Sequence, residues 1–259
     1  MAAATLELSS VLLLLLFSYE SGVLEDPAAI PPAGIFKMTR DLAKADDYAS
    51  VLDIHFEKGN SSFDSFLPIG LPVSLRIPNG REMALHVNDP LVIVETLNKL
   101  GSQHGIGRID IVENRFLGLK MRLNHLASRG LYETPAGTVL HVAHVDLEAF
   151  TLDREVLRVK KYLQDKMADF VYNGFWFSLD MSFTRKCLEL SQESVTGTVT
   201  VQLFKGNFTV LARKSPNSLY NKDLVSTDIA GGFSPEDRTG FININAIRLK
   251  EFARLSNLK

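Results

Sequence analysis

The sequence has little of several residue types that define specialised classes of protein. Cys187 is the only cysteine among 259 residues, which excludes an intrachain disulfide framework and a cysteine-based zinc site. A single cysteine also fits a reducing compartment. Neither sign of charge dominates, because 28 lysines and arginines face 30 aspartates and glutamates for a net charge of −2. We therefore expect no general electrostatic affinity for nucleic acid or for an anionic membrane surface.

Long hydrophobic runs are also scarce. Residues 11–17 form an apolar run with five consecutive leucines, but it is far shorter than the roughly 20 residues that cross a bilayer. No Lys or Arg precedes the run and no small-x-small cleavage site follows it, so we expect no signal peptide. A buried helix or strand, or a non-native leader from an alternative start, fits residues 1–17 better.

The remaining composition is that of an ordinary globular protein. Hydrophobic residues make up 46% and charged residues 22% of the chain, both near the averages for soluble domains. The apolar fraction is too high and the net charge too low for disorder. The length allows one or two domains with a large core.

Segments with strand and helix character mix irregularly along the chain. Alternating apolar runs predict strands at residues 51–56, 73–77, 198–204 and 208–212. The last two are joined by the hairpin turn Lys205-Gly206-Asn207. Helices are predicted where a capping side chain precedes an apolar stripe, at Asp89-Pro90, Thr134-Pro135 and Asp153. Because no regular βαβ rhythm results, we predict the α+β class.

Two further helices are predicted nearer the carboxy terminus. Phe183, Cys187 and Leu190 share one apolar helical face, which favours a buried Cys187 over a nucleophilic one. Residues 244–255 are amphipathic and predict a terminal helix.

Most motifs that carry chemistry are weak or absent. His141 and His144 lie three residues apart and could share a helix face as a metal pair. No third ligand stands at a recognised spacing, so a structural role is the favoured interpretation. Gly105-Ile106-Gly107 follows a helix and precedes a strand, the reverse of the dinucleotide-binding order. The sequence contains no Walker loop and no Gly-x-Ser-x-Gly elbow.

Two dense polar clusters stand out, at residues 107–115 and 128–135. In the first, Glu113 can accept from an ammonium group and the arginines can hold carboxylates. In the second, Tyr132 offers a hydroxyl beside a helix start whose free amides favour anions. Together they suggest a pocket for a small zwitterionic ligand. A structural salt-bridge cluster explains the first segment equally well, and both interpretations stay open.

The same clusters carry a resemblance to a known family. Matching motifs occur in one order, at residues 18–25, 107–115, 128–137, 153–155, 174–176, 218–221 and 239–244. Through these motifs the sequence resembles argininosuccinate synthase over residues 18–59 and 71–259. The resemblance implies a carbon–nitrogen ligase of arginine biosynthesis and the urea cycle. Such a ligase condenses citrulline with aspartate through a citrullyl-adenylate, with ATP and Mg²⁺ as co-substrate.

The resemblance also implies site residues and an assembly. Ser18, Glu113 and Tyr132 match citrulline-binding positions, with Glu113 facing the α-amino group. No catalytic, nucleotide-binding or metal-binding residue is carried over. The implied fold is an α+β synthetase and multimerisation domain over residues 18–259 with an extended carboxy-terminal helix. It implies a cytosolic homotetramer in which that helix reaches a neighbour.

Departures from the family limit what we expect of these residues alone. The family's pyrophosphate-binding loop, Ser-Gly-Gly-Leu-Asp-Thr-Ser, does not occur in the sequence. The amino-terminal ATP-binding half is therefore missing from it, and we expect the chain alone to be inactive. Residues 1–17 do not resemble the family. Residues 60–70 and 121–127 look inserted, the latter between the motifs of Glu113 and Tyr132.

Three hypotheses remain for the function. The chain contributes to the ligase when an ATP domain is supplied elsewhere. Alternatively, it is a non-catalytic truncated isoform that joins full-length subunits or binds citrulline without turnover. The third hypothesis is an incomplete product that does not fold.

Overall fold

The computed structural model describes residues 16–20, 22–60, 72–77, 86–87, 89–112, 129–220 and 235–256. The chain falls into two compact units, Met1–Ser218 and Leu219–Lys259. Three groups of predictions lie outside the described residues: Glu113, the proposed insertions apart from Asn60, and residues 1–15 of the proposed leader.

The strands of the first unit pair antiparallel in two sheets. They are β1 (Phe17–Tyr19), β2 (Ser50–Phe56), β3 (Ser74–Arg76), β4 (His86–Val87), β5 (Arg108–Val112), β6 (Arg129–Glu133), β7 (Gly197–Phe204) and β8 (Asn207–Lys214). The smaller sheet has the order β1-β6-β5 and the larger one the order β4-β3-β2-β7-β8. The predicted hairpin is confirmed as β7 and β8.

The first three helices begin where the sequence predicts them, whereas the terminal helix begins nine residues before the predicted segment 244–255. The helices are α1 (Pro90–Gln103), α2 (Pro135–Thr151), α3 (Arg154–Tyr172), α4 (Leu179–Ser191) and, in the second unit, α5 (Pro235–Ser256). Asp89 and Asp153 each accept two backbone N–H groups at a helix start. Helices combined with antiparallel sheets confirm the α+β class. Among the described residues, no helix is both long and apolar enough to cross a bilayer.

The core lies between the five-stranded sheet and the first two helices. Strands β2 and β7 bury every second side chain, including Leu52, Ile54 and Phe56 on β2. Val139, Ala143 and Leu147 of α2 belong to the same buried cluster, together with Ile93 and Leu97 of α1. This alternation is the pattern of an antiparallel sheet with one face on a core.

The start of α2 is capped differently from the prediction. Thr134 makes no side-chain capping bond. Instead, Asn98 of α1 reaches across and its side-chain oxygen accepts from the buried N–H of Ala136 at 2.9 Å. A side chain of α1 therefore provides the capping oxygen, which the sequence pattern assigns to Thr134.

The apolar stripe predicted on α4 is not buried, so this prediction is wrong. Phe183 and Leu190 are 65% and 67% exposed, and Cys187 is partly exposed. Helix α4 buries Met181 and Thr184 instead. Helical periodicity identified an apolar face, but it does not show whether a partner covers that face.

His104 is a fully buried titratable group at the end of α1. Its Nε2 atom shares a hydrogen bond with the hydroxyl of Ser50 at 2.9 Å, and Tyr48 packs edge-on against the ring. Burial lowers the pKa of His104. The negative charge of Asp46 offsets part of this effect, and the positive charge of Arg40 lowers the pKa again. The folded state therefore favours the neutral imidazole.

We expect Asn98→Ala to lower the free energy of unfolding by about 1–3 kcal/mol, because it leaves the buried amide of Ala136 without an acceptor. Thr134→Ala is the matched control and is expected to cost under about 0.5 kcal/mol, since no capping bond is lost. Urea unfolding at one pH measures both. A larger loss for Thr134→Ala than for Asn98→Ala contradicts the assignment of the cap.

We also expect stability to decrease on acidification through His104. The unfolded chain, whose histidines titrate near pH 6.5, binds the proton more readily than the fold does. This contribution is fully present above about pH 6.5 and is lost as the pH falls below it. His144, whose pKa burial also lowers, contributes in the same direction. Urea unfolding across this range measures the slope, which His104→Gln is expected to reduce. An unchanged slope contradicts the prediction.

Candidate functional site

The three-stranded sheet carries the two predicted ligand residues that the structure describes. Ser18 of β1 lies directly opposite Tyr132 of β6. On the other side of β6, Ile109 pairs with Tyr132 and Ile111 pairs with Gly130. Side chains alternate between the faces of a strand, and directly opposed residues share a face. Ser18, Tyr132 and both isoleucines therefore lie on one face, which we call the ligand face.

The ligand face combines hydroxyl groups with apolar side chains that solvent can reach. Ile109 and Ile111 are 44% and 42% exposed, Ser18 is exposed and Tyr132 is half-buried. Binding sites for small molecules typically join apolar surface to a few placed polar groups. The ligand face therefore has the chemical make-up of such a site.

Gly130 allows the ring of Tyr132 to lie where it does. A Cβ atom at residue 130 would stand 2.6 Å from Cε2 and 2.7 Å from the hydroxyl oxygen of Tyr132. Real Cβ atoms do not approach heavy atoms so closely, so any side chain at residue 130 would displace the ring. The Tyr132 ring therefore occupies the space above β6 that a side chain at residue 130 would take.

The opposite face of the sheet is organised around the carboxylate of Glu133, which is fully buried. One oxygen accepts from the hydroxyl of Tyr19 at 2.5 Å and from the amides of Lys37 and Met38, both at 2.9 Å. The other accepts from the amide of Thr39 at 2.7 Å and from its hydroxyl at 2.5 Å. One carboxylate therefore joins β6, β1 and the segment 37–39.

These hydrogen bonds keep Glu133 ionised although it is buried. Burial by itself raises the pKa of the carboxyl group, but the bonds from Thr39, Tyr19 and the amides of Met38 and Thr39 outweigh it and hold the pKa below its usual value. Each bond stabilises the charged form more than the neutral form. The group is therefore a buried anion whose donors come largely from the backbone.

Arg108 and Arg129 of the polar clusters each bond to other parts of the protein. Arg129 binds Asp110 through both of its fork nitrogens, at 2.9 and 2.5 Å, and also donates to the carbonyl of Ala29 at 2.7 Å. Arg108 donates to the Thr39 hydroxyl and lies 4.4 Å from the centre of the Phe36 ring. Asp110 thus forms a salt bridge with Arg129, whereas Arg108 binds a hydroxyl and backbone carbonyls.

The histidine pair on α2 does not form a metal site with other described residues. His144 is buried against Phe56, and its Nδ1 atom lies 3.5 Å from Glu148, which also binds Lys160 at 2.7 Å. His141 is exposed. No group of three or more histidine, cysteine, aspartate or glutamate side chains with metal-binding geometry occurs in the part of the chain that the structure describes.

A groove of about 520 Å³ lies elsewhere, on the outer face of the five-stranded sheet, and neither Ser18 nor Tyr132 lines it. Thr200 donates to Asp53 at 2.7 Å, and His55 and Thr198 share a hydrogen bond at 3.0 Å within it. Its polar side chains thus bond to each other across the strands, as on the solvated face of an antiparallel sheet.

Sequence reasoning missed Tyr19 and Glu133. Each stands next to a predicted ligand residue and points to the opposite face. Strand parity could have found Glu133, because it shares a face with the fully buried Leu131 two residues earlier. No local pattern in the sequence indicates that residues 37–39 supply its amides.

The fold and the ligand face define the class: an α+β domain with a mixed polar and apolar surface on a three-stranded antiparallel sheet. The family model of the arginosuccinate synthase C-terminal domain matches residues 13–252. The chain belongs to this family, which confirms the resemblance found in the sequence.

Curated relatives agree with this assignment. The chain is 48% identical to argininosuccinate synthase of Anopheles gambiae over 239 residues, covering 92% of this chain and 51% of that protein. It is 49% identical over 242 residues to the enzyme of Drosophila melanogaster and 47% identical over 240 residues to that of Rattus norvegicus. Those matches cover 92% and 93% of this chain, and 52% and 53% of the relatives. The chain thus spans about half the length of the relatives it matches.

Proposed function

We propose that this chain supplies the citrulline-binding and assembly portion of argininosuccinate synthase. The observation that supports the proposal most strongly is the pairing of Ser18 with Tyr132 on the open ligand face. These are two of the three residues that the family resemblance assigns to citrulline. They are 114 positions apart in the chain, so their meeting depends on the fold and not on local sequence.

Each group on the ligand face has a role in holding citrulline. The hydroxyls of Ser18 and Tyr132 bond to the polar ends of the substrate, and Ile109 and Ile111 contact its methylene groups. Glu113 directly follows the last residue of β5 in the sequence. Its carboxylate pairs with the positively charged α-ammonium group of citrulline. This division suits a zwitterion with an apolar middle.

The complete reaction needs a nucleotide site that these residues do not carry. In the family reaction the ureido oxygen of citrulline attacks the α-phosphorus of ATP and pyrophosphate leaves, and the aspartate amine then displaces AMP. The pyrophosphate-binding loop does not occur in the sequence. We propose that residues outside this sequence, in the same polypeptide or in another subunit, provide the ATP-binding site. We place the reaction in the cytosol. The role left to this chain is to bind and orient citrulline.

We expect the chain to bind citrulline in a calorimetric titration. Glu113→Ala is expected to weaken binding by at least about tenfold, because it removes the partner of a charged group. Gly130→Ala is expected to weaken it by about tenfold, because the new Cβ displaces the Tyr132 ring.

Gly240→Ala is the matched control for Gly130→Ala. A Cβ at Gly240 meets nothing within 4 Å, so this variant is expected to keep the dissociation constant of the wild type. An absence of binding heat in the wild type overturns the proposal. If the Gly130→Ala and Gly240→Ala variants bind citrulline equally well, Tyr132 is not part of the proposed citrulline site.

A second function, assembly with further copies or with full-length subunits, is favoured by exposed apolar side chains. In α5, Phe241, Ile244 and Ile247 are 69%, 70% and 65% exposed. In the first unit, Phe177 and Leu179 at the start of α4 are 94% and 87% exposed. Monomeric proteins rarely leave such apolar surfaces uncovered. We propose that subunit contacts cover them, in the homotetramer that the family resemblance implies.

Light scattering after size exclusion is expected to give a mass about four times the 28.8 kDa of one chain. The double variant Phe241→Glu and Ile244→Glu places charges on the apolar helix and is expected to lower the mass. Asn243→Glu adds a charge at an exposed polar position of the same helix and is expected to change nothing. A wild-type chain that stays monomeric contradicts the assembly proposal.

A further inference from the structure

We propose that Tyr19 and Glu133 form a positioning pair that fixes Ser18 opposite Tyr132. The inference rests on the proposed function, since it assigns to these residues the geometry of the citrulline site. Neither residue contacts the ligand in this scheme. Both act through the backbone that they hold.

The hydroxyl of Tyr19 connects the pair and makes two hydrogen bonds. The hydroxyl of Tyr19 donates to Glu133 at 2.5 Å and accepts from the amide of Lys37 at 3.0 Å. The ring of Tyr19 packs edge-on against Phe36, with centroids 6.2 Å apart. The direction of the Tyr19 side chain is therefore fixed at the ring and at the hydroxyl.

Strand β1 depends strongly on this contact because it is very short. It has three residues and pairs with β6 at only three positions. Phe17 and Ser18 are exposed, and Tyr19 is the only half-buried residue of the strand. The bond to Glu133 joins the strand to a buried anion, and hydrogen bonds to charged groups are stronger than bonds between neutral groups.

Fixing Tyr19 and Glu133 on one face of the sheet also fixes their chain neighbours on the other face. Tyr19 is adjacent to Ser18 in the chain, and Glu133 is adjacent to Tyr132. Consecutive residues of a strand point to opposite faces, so the pair lies beneath the two hydroxyls rather than beside them. When the pair holds β1 and β6 in register, Ser18 and Tyr132 are held opposite each other on the ligand face.

The Tyr19→Phe variant tests the pair, because it removes the hydroxyl and keeps the ring. Citrulline binding by the full chain is expected to weaken about fivefold, the range of one hydrogen bond. Thr39→Val is the matched control. It also removes one hydroxyl bond to Glu133, together with the acceptor of Arg108, but from the segment 37–39 rather than from β1. It is expected to stay within about twofold of the wild type.

A double-mutant cycle separates positioning from general destabilisation. If Tyr19 acts by placing Ser18, then Tyr19→Phe has no further effect on the dissociation constant once Ser18→Ala has removed the ligand hydroxyl. If Tyr19 only stabilises the fold, the two effects multiply. Wild-type affinity in Tyr19→Phe, or multiplying effects in the double variant, overturns the inference.

Amide hydrogen exchange of β1 in the free protein tests the pair without citrulline. Tyr19→Phe is expected to increase exchange in β1 more than Thr39→Val does, because only the first change releases the strand. Equal exchange in both variants overturns the positioning role. Absence of citrulline binding by the wild type contradicts the proposed function instead, so the two failures are distinguishable.

Discussion

The smaller sheet depends on the buried carboxylate of Glu133. A carboxylate out of water is costly unless its oxygens accept several hydrogen bonds. Here five donors converge on it, from the amides of residues 37–39 and the hydroxyls of Tyr19 and Thr39. Satisfying that one anion holds together three segments that are far apart in sequence. The register of β1 on β6 is a consequence.

The two faces of this sheet differ in their side-chain chemistry. On one face, charged side chains such as Arg129 and Asp110 bind each other and backbone carbonyls. On the other, Ile109 and Ile111 are exposed beside Ser18 and Tyr132. The alternation of a strand allows both arrangements within the five residues of β6, because consecutive side chains point to opposite faces. A layer of paired polar side chains thus lies directly beneath the surface that carries Ser18 and Tyr132.

Much of the fold follows from local patterns. The capping aspartates, the apolar stripes and the hairpin turn before Asn207 locate the helices and strands, because these elements form through contacts close in sequence. Burial is less predictable. Phe183 and Leu190 lie on an apolar helix face, yet they are exposed, since periodicity reports the chemistry of a face and not what packs on it.

The sequence by itself determined the α+β class and the family, because both rest on local patterns and motifs that follow one another along the chain. Only the tertiary structure decided which side chains meet. It paired Ser18 with Tyr132, gave Arg108 and Arg129 structural partners, brought Asn98 to the start of α2 and buried Glu133. The physical reason is that each of these contacts joins residues distant in sequence, and their geometry is fixed by satisfying buried polar groups rather than by local propensity.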